Sequence, residues 1–418
     1  MNDSDSVGER IKRAREDKGW SHKKLAQELL SCAQSPSSVD SVKRNIIRWE
    51  NDEHRVGRDF SAALAAVLGV EVDPSEILTK MNERRRGVEK MMSRSGLKRR
   101  DWSSEQHSEL YENVCSLARA YLSQPIYKIY KDMADLQDRL AELKDRVIVN
   151  YQPDIYFWLS IVMGIFANAG HDLGQPRMAI AYAGWARDLA AETGCAPLQA
   201  WTFGMLSLIE YRWSPGDQTH LSKSVEYAED GVRLLGRTMG TTSVWLQTSE
   251  ARAKASLGDV DGALAAIYRA ERARENVRDD ELDAYGGICR SSEAENLYYI
   301  CDAFTSLESH AIEGQRRSVE AINAYQDPAS PDFDFGCLAC SRTSLAIARV
   351  RLNELDGADE AIRPVFELEP AKRIQGVIQS VEKLYRALQD GPSAPLSRDL
   401  MANIVEFKRS RPRIDPTI

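Results

Sequence analysis

The chain has 418 residues, 43% of them apolar and 28% charged, with a net charge of −8. That length is too great for one simple core and calls for two to four domains or a repeat array, and the composition is that of a soluble globular protein. No apolar run reaches the roughly eighteen residues of a membrane span, the polar, acidic start MNDSDSVGER offers no secretion signal, and the overall acidity argues against a nucleic-acid-coating protein.

The first hundred residues break that acidic average. They carry 21 Lys+Arg against 16 Asp+Glu, whereas residues 101–418 carry 34 against 47. Because salt confines such fields to a Debye length of ~8–10 Å, a basic head can attract phosphate despite an acidic body. Within the head, VGERIKRAREDKGW places Val7, Ile11, Ala14 and Arg15 on one helical stripe, and Gly19 ends that helix. Ser21 is a candidate cap for SHKKLAQELL, whose Leu25, Ala26 and Leu29 form the next apolar face. VKRNIIRWEND then sets Val42, Ile46 and Trp49 on one side, with Lys43, Arg44, Ile47 and Arg48 on or beside the other. By itself that cationic side reads equally as a solvated surface or as a face for DNA. In DFSAALAAVLGVEVDPSEIL, Phe60, Leu64, Val67 and Leu68 space a fourth helix, Gly69 closes it, and Asp73-Pro74 opens a short fifth.

This ordered set resembles the Cro/cI-type (Xre family) helix-turn-helix domain, with Leu25-Ala26 in the second helix and Ile46-Ile47-Arg48-Trp49-Glu50-Asn51 closing the third. The resemblance implies a five-helix DNA-binding domain over residues 1–80, with the third helix in the major groove of double-stranded operator DNA. It makes Lys43, Arg44, Asn45 and Arg48 the candidates at base edges, where Arg can pair with guanine. His22 and Lys23, opening the second helix, are then placed for phosphate. Arg15 and Glu50 match the family's structural ion pair. The sequence departs from compact members in LLSCAQSPSSVDS, which lengthens the connection before the third helix and leaves either Ser38 or Ser41 to cap it.

Residues 81–101 form a basic linker with eight Lys/Arg from Arg84 to Arg100, either a solvated connector or an added track for phosphate. Over 102–150, Leu110, Val114, Leu117 and Tyr121 stripe one long helix. Ile126, Ile129, Met133, Leu136, Leu140, Leu143 and Val147 then repeat at alternating steps of three and four in the next. That seam suits a homodimer contact or pairing with the following helices.

From 151 to 418 the pattern is one of weak internal repeats. In SVWLQTSEARAKASLGDVDGALAAIYRAERA, Gly258-Asp259 mark a turn between helices and Ala263, Ile267 and Ala270 follow. Gly357, Ala361, Val365 and Pro370 are expected to repeat that spacing, as are Gly174, Ala179, Ala183 and Ala186; looser pairs fall at 196–236 and 291–326, with a cap at 371–409. These stretches resemble tetratricopeptide repeats. The resemblance implies a right-handed helical solenoid whose concave face, built from the first helix of each pair, binds a ligand or partner. Trp158, Asn168, Trp201, Glu210, Trp245 and Glu250 are the candidates on its early helices. Arg252, Glu295, Asn296, Tyr299, Arg342 and Arg349 continue the surface.

Nothing else in the chain carries chemistry. Seven cysteines read as reduced thiols in a cytoplasmic protein; Cys337 and Cys340 have CxxC spacing but no second pair, and the six histidines show no metal-ligand pattern. No catalytic residues, metal or cofactor are expected. A Cro/cI-type head on a tetratricopeptide body resembles the RRNPP-type quorum regulators, in an actinomycete-like form. The expectation is an all-α, homodimeric transcription regulator gated by a small signalling peptide or another small molecule. A tetratricopeptide adaptor that recruits a protein partner is the alternative.

Overall fold

The computed structural model of the chain describes residues 7–32, 38–51, 103–144, 152–213 and 216–409, with isolated positions between 56 and 85. Among these residues there are 17 bounded α-helices and no strand, so the protein is all-α. No described helix is long and apolar enough to cross a membrane. The described residues up to Arg84 form one compact unit, and those from Arg85 onward form another.

In the first unit, α1 (Val7–Asp17) is closed by a left-handed Gly19 at φ 63°. Gly19 N–H donates to the Glu16 carbonyl at 2.8 Å and Trp20 N–H to that of Arg15 at 3.1 Å, which satisfies the last turn. Ser21 Oγ accepts from the Lys24 amide and caps α2 (His22–Cys32). Ser38, not Ser41, caps α3 (Val39–Glu50), accepting from the Ser41 amide. Ile11, Leu25, Ala26, Leu29, Val42, Ile46 and Trp49 meet in one core with Phe60, Ala63, Leu64 and Leu68, which are themselves helical. The Trp49 and Phe60 rings pack tilted at 5.5 Å. The expected closure at Gly69, the fifth helix, most of the basic linker and residues 33–37 of the lengthened connection lie outside the described residues.

The second unit begins with α4 (Ser104–Ser123), whose Ser103 and Gln106 cap one another reciprocally, and α5 (Ile126–Lys144). The seam of α5 is used within the chain. Ile129, Met133, Leu136 and Leu140 are buried where α5 packs on α4 and on α6 (Gln152–Asp172). Val147 lies outside the described residues. The buried seam positions are therefore not left for a second copy.

From α6 the helices come in pairs: α6 with α7 (Pro176–Thr193), α8 (Ala196–Trp213) with α9 (Gln218–Leu235), and α10 (Thr241–Ser256) with α11 (Val260–Arg274). Then follow α12 (Glu293–Phe304) with α13 (Ala311–Ala324), α14 (Phe335–Arg351) with α15 (Leu355–Phe366), and α16 (Gln375–Asp390) with α17 (Pro395–Arg409). Each first helix also packs on the first helix of the next pair. Gly174 and Gly258 hold left-handed turns inside two pairs, and in the α14–α15 pair that conformation belongs to Asn353, at φ 62°. The turn therefore lies four residues before the expected Gly357. The buried small and branched positions after Asn353 are Ala358, Ile362 and Val365, matching Ala263, Ile267 and Ala270 after Gly258. Asn can replace Gly there because its short polar side chain tolerates left-handed backbone.

Two contacts convert the row of first helices into walls around an interior. Helix α16 of the last pair touches α6 of the first, and the Arg212 guanidinium donates to the Gly376 carbonyl at 2.9 Å. The segment Asp283–Cys289, two short 3-10 turns, lies against α4. Trp158 Nε1 donates to the Tyr285 hydroxyl at 2.8 Å and Trp201 Nε1 to the Ile288 carbonyl at 3.1 Å.

Candidate functional site

Two places stand out, one in each unit. On α3 the buried side is fixed from behind. Arg15 Nε donates to Glu50 Oε1 at 2.5 Å and its Nη2 to Oε2 at 2.9 Å, while Nη1 donates to the Trp20 carbonyl. Burial pushes the Glu50 carboxyl up, but hydrogen bonds from Arg15 and His22 outweigh it and hold the group below its usual range. The pair ties α1 to the end of α3. His22 also takes part: its Nε2 sits 2.9 Å from Glu50 Oε2, so one ring nitrogen expected to meet phosphate is turned to the ion pair.

The opposite side of α3 carries Arg44, Ile47 and Arg48, all exposed, with Lys43 and Asn45 half-buried at its edges. Lys43, Arg44 and Arg48 form no hydrogen bond or ion pair with a described residue, and neither does Lys23 on α2. Ile47 is 38% exposed among these cations, an apolar surface the charge pattern did not single out. Starting α3 at Val39 adds Asp40 to its first turn, so Lys43 and Arg44 fall in the second turn.

The second place is the interior of the paired helices. It holds a cavity of about 120 Å³, walled by residues of α6, α8, α10, α12, α14 and α16, the turn before α5, and the segment 287–292. Asn168, Trp201, Trp245, Arg252, Glu295 and Tyr299 of the expected ligand surface line it.

The other expected residues do not line it. Trp158 is buried against Tyr285. Glu210 bonds His220 at 2.5 Å, and Glu250 is held by Lys254 and Arg269. Asn296 bonds Arg274 and Ser291, and Arg349 donates to the Gly357 carbonyl at 2.6 Å. Arg342 is half-buried on α14, outside the cavity wall. The tryptophans are primarily packing devices. A Cβ on Gly164 would overlap the Trp201 ring and one on Gly204 the Trp245 ring, so each indole fills the notch left by a glycine on the preceding first helix.

Arg252 is 1% exposed, with the Tyr299 ring 3.7 Å and the Tyr211 ring 4.5 Å from its guanidinium carbon. Its Nε, Nη1 and Nη2 have no hydrogen-bond partner. Beside it, Asp302 accepts from Lys383 at 2.7 Å and from the Tyr211 hydroxyl at 3.0 Å. Burial would raise the Asp302 carboxyl, but Lys383, Arg212 and Arg252 hold it well below the usual range. Arg212 donates to the Tyr298 hydroxyl at 2.5 Å. Sequence reasoning missed Arg212, Tyr211, Tyr298, Asp302 and Lys383; the available signal was charge inside helices such as α8 that have no polar face.

Burial raises the Cys337 and Cys340 thiols, the reverse of what a reactive thiolate requires. Among the described residues no group of His, Cys, Asp and Glu is arranged to hold a metal ion. Compared with known proteins, the chain is matched by no family model and by no curated sequence.

Proposed function

We propose that the chain is a sequence-specific, DNA-binding transcription regulator that acts as a homodimer and is controlled by an effector held in the interior of its second unit. The first unit then works as a Cro/cI-type helix-turn-helix domain and the second as a tetratricopeptide-like solenoid. The observation that carries this reading is the outer side of α3. Lys43, Arg44 and Arg48 make no ion pair with a described residue, on a helix locked from behind by Val42, Ile46, Trp49 and the Arg15–Glu50 pair. Cations without partners on a rigid helix are available to phosphates and guanine edges, and Ile47 among them suits a thymine methyl. An effector would act by favouring one arrangement of two such helices, whose separation must match half-sites about one helical turn apart, ~34 Å, or a multiple.

The test is fluorescence anisotropy of the full chain on genomic fragments. Arg44→Ala or Arg48→Ala is expected to weaken the preferred fragment by about 1–3 kcal/mol and relax its sequence preference. Lys23→Ala should weaken all fragments alike and flatten the salt dependence. If no fragment is bound more than a few-fold better than random DNA, the reading fails. The adaptor alternative draws on the outer helices, where Tyr268 is 60% and Ile312 74% exposed. Constitutive capture of a protein partner, with no DNA preference, is its expected outcome.

A further inference from the structure

The interior holds a buried guanidinium whose hydrogen-bond donors the protein itself does not answer. A guanidinium offers five N–H donors, and those of Arg252 meet no acceptor although the side chain is fully buried. The two tyrosine rings that sandwich it satisfy its faces, not its edges. Of the carboxylates near it, Asp302 is already engaged by Lys383 and Tyr211, and Glu295 on the same cavity wall makes no hydrogen bond to it. Arg212 adds a second buried cation, bonded only to neutral oxygens, those of Gly376 and Tyr298, and its Nε is also without a partner. Buried polar groups left in this state are costly in a protein that merely folds, and they collect at sites that await a ligand.

The cavity bounds the ligand's size. Its volume of about 120 Å³ corresponds to on the order of ten water-sized positions. The α6–α16 contact and the segment Asp283–Cys289 border this cavity, and its volume suits a compact ligand. Trp245 stands two turns from Arg252 on the same side of α10, and Trp201 and Ile288 add further apolar wall. We propose that this cavity binds a compact organic carboxylate, with Arg252 as the anion anchor and Trp201, Trp245 and Ile288 around the ligand's apolar body. The inference rests on reading the interior as the effector site, and it narrows that effector to a small anion.

The experiment uses the full chain without DNA. Benzoate, 3-phenylpropionate, phenyl phosphate and inorganic phosphate are titrated, with benzamide as the neutral control, reading tryptophan fluorescence and the melting temperature. Saturable binding of a carboxylate with a raised Tm, at least ten-fold weaker for benzamide and lost in Arg252→Met, is the expected result. Unliganded Arg252→Met should melt close to wild type, because the lost contacts with the tyrosine rings and Asp302 are offset by the removal of three buried donors that have no acceptor. Preference for the phosphates overturns the carboxylate assignment. No saturable binding of any of the four anions, or a Tm for Arg252→Met several degrees below wild type, overturns the site itself. Carboxylate binding that leaves the affinity for DNA fragments unchanged sinks the regulatory reading alone. An effect of culture extract on DNA affinity that persists in Arg252→Met sinks this inference alone.

Discussion

Arg15 and Glu50 are the clearest case of two distant residues that act as one part. They lie 35 positions apart, and their bidentate bond closes α1 onto the end of α3. Removing Glu50 leaves the buried Arg15 with only the Trp20 carbonyl and Glu16, so Glu50→Ala should destabilise the first unit by about 3 kcal/mol. Calorimetry of the full chain would read this as a lowered transition for that unit with the second unit's transition unmoved. The pair also sets a pH dependence. The Glu50 carboxyl is depressed when folded, so its contribution is present above the unfolded value near 4.5 and is lost as pH falls below it. Arg252 is the opposite kind of residue, buried with no acceptor for its N–H donors. The family resemblance pairs Arg15 with Glu50, but no local pattern shows that the Arg252 donors are left without an acceptor, which only the residues folded around it decide.

At the scale of elements, periodicity located helices well and turn identity less well. Gly258 and Gly174 mark their turns because glycine enters left-handed backbone without penalty. Asn353 does the same work without glycine's signal, so the sequence pattern points to Gly357 instead. Asn353→Val should cost about 1–2 kcal/mol, the penalty of a branched residue in that conformation, while Asn353→Gly should be near neutral. Denaturant titration of the second unit distinguishes them; equal losses would show that the Asn353 side chain, and not its backbone, is what matters. A second element-level feature is the notch-and-ring contact between Gly204 and Trp245. Gly204→Val forces the indole from its place, and overpacking of this kind costs about 1–3 kcal/mol. Because the displaced ring also walls the cavity, the same variant should weaken benzoate binding.

For the molecule as a whole, the chain's acidity and its proposed anion site have to be reconciled, and Glu295 is where they meet. Burial, with Asp334 adding to it, pushes this carboxyl up to about 7, against the opposing pull of Ser291, Arg252 and Arg274. It lines the same cavity as Arg252. An ionised Glu295 opposes an anion there and a protonated one does not, so benzoate affinity should rise several-fold between about pH 8 and about pH 6. Fluorescence titrations across that range, with Glu295→Gln giving a flattened profile, check the sign; tighter binding at high pH would show that another group governs entry. The titration needs no DNA and leaves the α3 surface out of the measurement.

The sequence by itself determined what depends on local spacing and local chemistry. Helical periodicity, the core side of α3 and the cationic residues opposite it follow from side chains three and four apart, which must share a face. Tertiary structure decided which buried polar residues are answered and which are not, because a partner can lie anywhere in the chain. Of the expected ligand surface, Glu210, Glu250, Asn296 and Arg349 found partners, whereas Arg252 was enclosed by tyrosines 41 and 47 positions away that satisfy only its faces. The closing of α16 on α6 likewise turned an expected open groove into a bounded interior, through a contact between helices more than two hundred residues apart that no local pattern encodes.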